Sequence, residues 1–121
     1  MSGMITADNY KDDKFYSKLV RAVEELLKSK PYIRASDVFK KMGLLGEGDY
    51  EQWQVGKLAY LEQTIDLNVS KINRILTILN LHAKEIGLEE SIHFETLKSK
   101  NLRYTKLGKK RGEELFAKQY K

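Results

Sequence analysis

Residues 68–86 read Asn68-Val-Ser-Lys-Ile-Asn-Arg-Ile-Leu-Thr-Ile-Leu-Asn-Leu-His-Ala-Lys-Glu-Ile86, and this stretch decides how the rest of the chain is read. Val69, Ile72, Ile75, Leu76, Leu79, Ala83 and Ile86 recur at the spacing that lines one face of an α-helix. Asp66 or Asn68 can cap its start, because a short polar side chain accepts a hydrogen bond from an early backbone N–H. Gly87 suits the left-handed residue that commonly closes a helix. The other face carries Ser70, Asn73, Arg74, Thr77 and Lys84, which project to one side.

Downstream, Ser91-Ile-His-Phe-Glu-Thr-Leu97 and Leu102-Arg-Tyr-Thr105 alternate apolar with polar residues around Lys98-Ser-Lys-Asn101. Alternation of this kind marks half-buried strands, so a β-hairpin is expected. Lys98, Lys100, Arg103 and Lys106 cluster around its turn and second strand. Gly108 breaks that strand, and residues 110–120 are expected to form a last short helix burying Leu115 and Phe116.

Upstream, Phe15, Leu19, Ala22, Val23, Leu26 and Leu27 predict a helix over 13–30, capped by Asp12 or Asp13. Pro31 stops it, since the residue before proline resists the α conformation. Ser36 is placed to cap a second helix over 36–42, burying Val38, Phe39 and Met42 and ending at Gly43. Asp49, with Gln52 completing a capping box, opens a third helix over 49–65. Tyr50, Trp53, Lys57, Tyr60, Leu61, Thr64 and Ile65 fall on one of its faces. Gly56 inside that helix costs about 1 kcal/mol relative to alanine. Residues 1–12 are expected to fray. The expected fold is α+β and mostly helical: four to five helices and one C-terminal β-hairpin, in a single domain over 13–121.

A chain of 121 residues with 41% hydrophobic and 32% charged residues can bury one modest core and is not disordered in composition. Without cysteine there is no disulfide, thiolate metal site or cysteine nucleophile, which fits a cytoplasmic protein. No apolar run is long enough to span a membrane, and the first residues lack a signal-peptide pattern. Charge is uneven. Residues 1–90 carry 13 Lys/Arg against 14 Asp/Glu, whereas residues 91–121 carry 9 against 3. The whole basic excess therefore lies in the C-terminal quarter, where it can attract nucleic acid or an acidic partner. A solvated basic surface has the same composition.

Catalytic chemistry finds little to work with. His82 and His93 lie on different elements with no carboxylate at ligand spacing, so no metal site is expected. Gly43-Leu-Leu-Gly-Glu-Gly48 lacks the lysine and preceding strand of a phosphate loop. Glu89-Glu90 reads as a solvated turn. No enzyme activity, cofactor or small-molecule substrate is expected.

The segment Leu102-Arg-Tyr-Thr-Lys-Leu-Gly-Lys-Lys-Arg-Gly-Glu-Glu-Leu115 resembles the close of many winged-helix regulators, and the resemblance extends over residues 68–116. It implies a DNA-reading helix at 68–86 with the hairpin as wing. One departure stands out: the extra helix expected over 49–65 replaces the short turn of a compact helix-turn-helix. A second string, Tyr50-Glu-Gln-Trp53 with Gly56 and Tyr60-Leu-Glu62, resembles a group of short uncharacterised bacterial proteins over residues 32–85. That resemblance implies a bacterial or phage origin and no activity.

Two functional readings follow. In the first, the chain is a small transcriptional regulator or accessory factor that binds double-stranded DNA, with a homodimer as a further expectation. Ser70, Asn73, Arg74 and Thr77 would enter the groove, while Lys98, Lys100, Arg103, Lys109, Lys110 and Arg111 would meet phosphates. This reading needs Arg74, Arg103 and the Lys109-Lys110-Arg111 run on one face. In the second, the chain is a non-catalytic protein-interaction module anchored by exposed Tyr50, Trp53 or Tyr60.

Overall fold

The structure, a computed structural model, describes residues 5–121. The long helix α4, Val69–Glu85, forms where its periodicity places it. Asn68 Oδ1 accepts from the Lys71 amide at 2.9 Å, and Gly87 takes φ +82° just past the end. Ile72, Ile75, Leu76, Ile78, Leu79 and Ala83 are buried, although Val69 and Ile86 are half in water.

Helix α1, Tyr16–Ser29, buries Leu19, Ala22, Val23 and Leu26 and ends before Pro31. The N-cap position is Phe15 and not the expected aspartate; Asp13 Oδ1 accepts from the Phe15 amide at 2.9 Å in the turn just before the helix. Residues 5–12, expected to fray, instead lie against the body. A 3-10 turn at Tyr10–Asp12 buries Tyr10, whose ring meets Tyr16 edge-on at 5.7 Å. Lys11 reaches Glu85 at 2.7 Å. The fraying expected of residues 1–4 falls outside the described part.

A two-residue strand β1, Ile33–Arg34, precedes helix α2, Ala35–Lys41. Ser36 sits inside that helix rather than capping it, and Asp37 holds the Arg34 amide at 3.0 Å. Helix α3, Glu47–Gln54, is much shorter than expected. The pattern over 49–65 is two pieces: Gly56, at φ +82°, ends α3, and a separate 3-10 turn forms at Leu61–Thr64. A Cβ at Gly56 would stand 2.7 Å from Leu97, so the glycine both turns the chain and admits a neighbour.

The C-terminal quarter departs most from the sequence reading. Strand β2, Glu90–Ile92, does not pair with residues 102–105. It pairs with β5, Lys118–Tyr120, and β5 also pairs with β1, giving an antiparallel sheet in the order β1-β5-β2. Ile33 and Glu90 both lie opposite Tyr120. Between β2 and β5 come a small hairpin and helix α5, Lys110–Phe116. The hairpin pairs β3, Thr96–Leu97, with β4, Lys100–Asn101. Its turn is only Lys98 and Ser99, at φ 52° and 67°, the left-handed pair that two-residue hairpins require. The expected helix over 110–120 thus stops at Phe116, and its last turn is the central strand of the sheet. The fold class is α+β and mostly helical, as expected.

One hydrophobic cluster joins these elements. An aromatic row crosses it: Trp53 to Tyr104 at 4.9 Å, Tyr104 stacked on Phe116 at 5.5 Å, and Phe116 on Phe39 at 5.9 Å.

Candidate nucleic-acid interface

The site begins with how residues 102–106 are held, because they aim the basic stretch that follows. Trp53 Nε1 donates to the Arg103 carbonyl at 2.7 Å, and the Leu61 amide donates to the same oxygen at 3.2 Å. The Glu62 amide donates to the Tyr104 carbonyl at 2.8 Å. Glu62 Oε1 in turn accepts from the Lys106 amide at 3.2 Å. From α5, Glu113 accepts the Tyr104 amide at 2.9 Å, the Thr105 amide at 2.7 Å and the Thr105 hydroxyl at 2.6 Å. Backbone groups that a partner strand would satisfy are satisfied here by side chains and a turn. The Tyr104 ring is buried between them, and burial pushes its hydroxyl up to about 12.

This clamp explains the most distinctive string in the chain. Trp53, Leu61 and Glu62 all grip residues 103–106. Tyr50 is also buried: its hydroxyl donates to Glu95 at 2.7 Å, Arg34 pairs with the same carboxylate, and Lys40 lies over its ring at 3.7 Å. Burial pushes the Tyr50 hydroxyl well above its ordinary range. Trp53 is fully enclosed, and only Tyr60 keeps partial exposure. Of the three rings that the second functional reading would expose, Tyr50 and Trp53 are therefore core.

Held in this way, residues 105–115 lie along one edge of α4 and enclose a groove with it. One half, of about 510 Å³, is lined by Thr77, Asn80, Ile92, Lys110, Arg111 and Leu115 among others. The other, about 570 Å³, includes Val69, Asn73, Thr77, Lys106, Leu107 and Lys109. Thr77, Arg111 and Leu115 border both, so the two hollows adjoin along this edge and together make the channel. Among the described residues, no ion pair involves Lys106, Lys109, Lys110 or Arg111. Four cations thus stand close together in sequence without a direct ion pair, while the carboxylates of Glu62 and Glu114 line the same hollows. At the sheet end, Lys118 is occupied, paired with Glu90 at 2.7 Å and bonded to Asn80 at 3.0 Å.

The structure brings Asn73, Thr77, Lys109, Lys110 and Arg111 together around this channel. It does not bring Arg74. One residue on from Asn73, about 100° round the helix, Arg74 pairs with Asp13, whose side chain is wholly buried. The expected one-face arrangement fails at this residue. Arg103 is spent locally as well: its guanidinium donates to the carbonyls of Thr105, at 3.1 Å, and Lys106, bracing the loop around Gly108. Lys98 and Lys100 are exposed on the hairpin and line neither half of the channel. Ser70 and Lys84 are exposed on α4.

Lys106, expected in the hairpin's basic cluster, lines the channel instead; Leu107 and Val69 carry no expectation as site residues, and Leu107 is the most exposed large apolar side chain described, at 74%. Its signal in the sequence was a leucine set among lysines after the last alternating residue. His82 is buried against Tyr16, and desolvation holds its imidazole below the ordinary range. Among the described residues no cluster of three His, Asp or Glu could hold a metal, and no helix is long and apolar enough to cross a membrane. No protein-family model matches this chain, no curated protein is detectably similar to it, and no solved structure matches its fold.

Proposed function

We propose that this protein binds double-stranded DNA as a small winged-helix-like regulator or accessory factor, through the α4 edge that borders the channel. The observation that carries the reading is the set of unpaired cations, Lys106, Lys109, Lys110 and Arg111, held beside α4 by the clamp on residues 103–106. Cations with no internal partner are free to neutralise phosphates, and phosphate contacts fix a protein's register on a duplex. Asn73 and Thr77, with Ser70 one turn earlier, are the base-edge readers in this arrangement. Asparagine can bond two groups on adenine, and Thr77, whose hydroxyl donates to the Asn73 carbonyl at 2.9 Å, offers its oxygen as an acceptor and its methyl. The one-face condition set for this reading is not met, because Arg74 pairs with Asp13 and Arg103 braces its own loop; what supports the reading is the narrower set of residues around the channel. Helix followed by strand and hairpin agrees with a winged-helix order, and the extra segment at residues 43–67 supplies the clamp.

Fluorescence anisotropy with a random-sequence duplex across a salt series tests this reading. Affinity should fall steeply with salt, by a log–log slope of about 0.9 for each phosphate neutralised. The double variant Lys109→Glu, Arg111→Glu should bind weakly and with a shallower slope. Absence of binding at low salt, or a double variant that binds as the parent does, would overturn the proposal.

A further inference from the structure

The channel has a property that a duplex does not use. Apolar side chains line it beside the cations: Leu115 borders both halves, Val69 and Leu107 the one and Ile92 the other, and the four cations outnumber the two carboxylates in the lining, Glu62 and Glu114. Val69 is 49%, Leu107 74% and Ile92 45% exposed. Phosphates laid across the cationic rim would leave these side chains in water. An occupant that satisfies the whole channel must offer apolar groups to the floor and negative charge to Lys106, Lys109, Lys110 and Arg111.

From this pairing of floor and rim we infer that the α4–α5 channel docks an acidic amphipathic helix of a partner protein. A helix laid in a groove buries a stripe of side chains at i, i+3, i+4 and i+7 and leaves its flanks free. Carboxylates on those flanks face the four cations, which is the charge complementarity that selects an acidic helix over a neutral one. The length also agrees. Val69 to Asn80 along α4 is about 16 Å at the rise of an α-helix, which matches about three turns of an occupant. Such a helix covers Asn73, Thr77 and Arg111, so it displaces a duplex from the same edge. The inference does not depend on DNA binding, because the apolar floor is independent of it.

The test uses the full chain and two labelled synthetic peptides of about four turns, both built from leucine, alanine and glutamate in the same proportions. In one the leucines form a single stripe, and in the other they are spread around the helix. The striped peptide should bind, and the spread peptide should bind at least about tenfold more weakly, since burying a leucine is worth that much. Leu107→Ser, at an exposed position where folding is not at stake, should weaken the striped peptide by a similar factor. Its DNA affinity should stay within about twofold, because no phosphate contact is removed. Val69→Ser is the second variant and should behave likewise. Equal binding of the two peptides would mean that rim charge alone acts, and would overturn the inference. Binding of neither peptide, or full binding by both variants, would also overturn it. A chain that binds the striped peptide and ignores DNA loses the proposed function but keeps this one. A chain that binds DNA and neither peptide does the reverse.

Discussion

Asn73 and Arg74 are adjacent polar residues on α4, yet they belong to two edges of that helix with different surroundings. On Arg74's edge the charges and rings are matched: Arg74 with Asp13, Lys11 with Glu85, His82 against Tyr16. On the Asn73 edge, Thr77 looks onto a channel rimmed by cations without ion pairs. The first edge fastens residues 5–15 to the helix, and the second borders the channel. A basic residue on a helix face says little about ligands until its partners are known. A buried carboxylate converts an arginine from a reader into a fastener.

The comparison can be broken most directly at Arg74. Arg74→Ala leaves the buried Asp13 carboxylate without its partner. Stability measured by urea unfolding should fall by about 2–3 kcal/mol, below the full cost of a buried pair because Arg74 keeps 27% of its side chain exposed. The folded fraction should bind DNA with the parent's affinity. A variant of normal stability with altered DNA specificity would reverse the assignment of the two edges.

Gly56→Ala tests the clamp that sets the open edge. Forcing an L residue into the left-handed region costs about 1–2 kcal/mol, and the new methyl also meets Leu97. The thermal midpoint should drop, whereas the same change at Gly48, a position in α3 with open space around it, should hold or raise it.

His82 gives the matched edge a pH dependence. Burial lowers its folded-state value below 6.5, while Glu85 and Glu24 raise it and Lys11 lowers it, each by less. Below about pH 6.5 the unfolded chain takes up a proton that the folded one resists. This part of the stability is therefore complete above that pH and is lost as pH falls towards the folded value. The slope is at most about 1.4 kcal/mol per pH unit for one proton. His82→Leu should flatten the curve between pH 7 and 5, and an unchanged curve would remove the role given to burial.

The smallest stability effects belong to the open edge. Asn73→Ala and Lys110→Ala should each change unfolding free energy by less than about 0.5 kcal/mol. If Asn73 reads a base, its removal costs about 1–3 kcal/mol at the specific site. Lys110→Ala should instead weaken all duplexes alike.

Much of the helical part was legible because periodicity and caps are local. Asn68 and Gly87 bracket α4 where their chemistry places them, and Pro31 stops α1. The strands were not legible. β1 has two residues and β5 three, too few for an alternating pattern to register, and Lys118–Tyr120 continues the helical spacing of α5. A hairpin forms in the expected stretch and Leu102 still bonds the Glu95 carbonyl across it, but 103–105 alternates like a strand while its amides and carbonyls go to Trp53, the 3-10 turn and Glu113. Gly56 was read as a tolerated residue inside a helix, although its positive φ ends that helix. At the site, Asn73, Thr77 and the 109–111 run could be found from spacing and charge. Arg74 could not be sorted from them, because Asp13 is far away in sequence and its nearness is a product of the tertiary fold.

The place of β5 sets the timetable on which the molecule can assemble during synthesis. Residues 33–34 must wait for residues 119–120 before they have a neighbour, and β2 waits for the same strand. Helices α1 and α4 can meet early, but the sheet cannot close until Tyr120 has cleared the ribosome. Contacts of such wide sequence separation slow folding. Lys106, Lys109, Lys110 and Arg111 all precede in sequence the strand that closes the sheet.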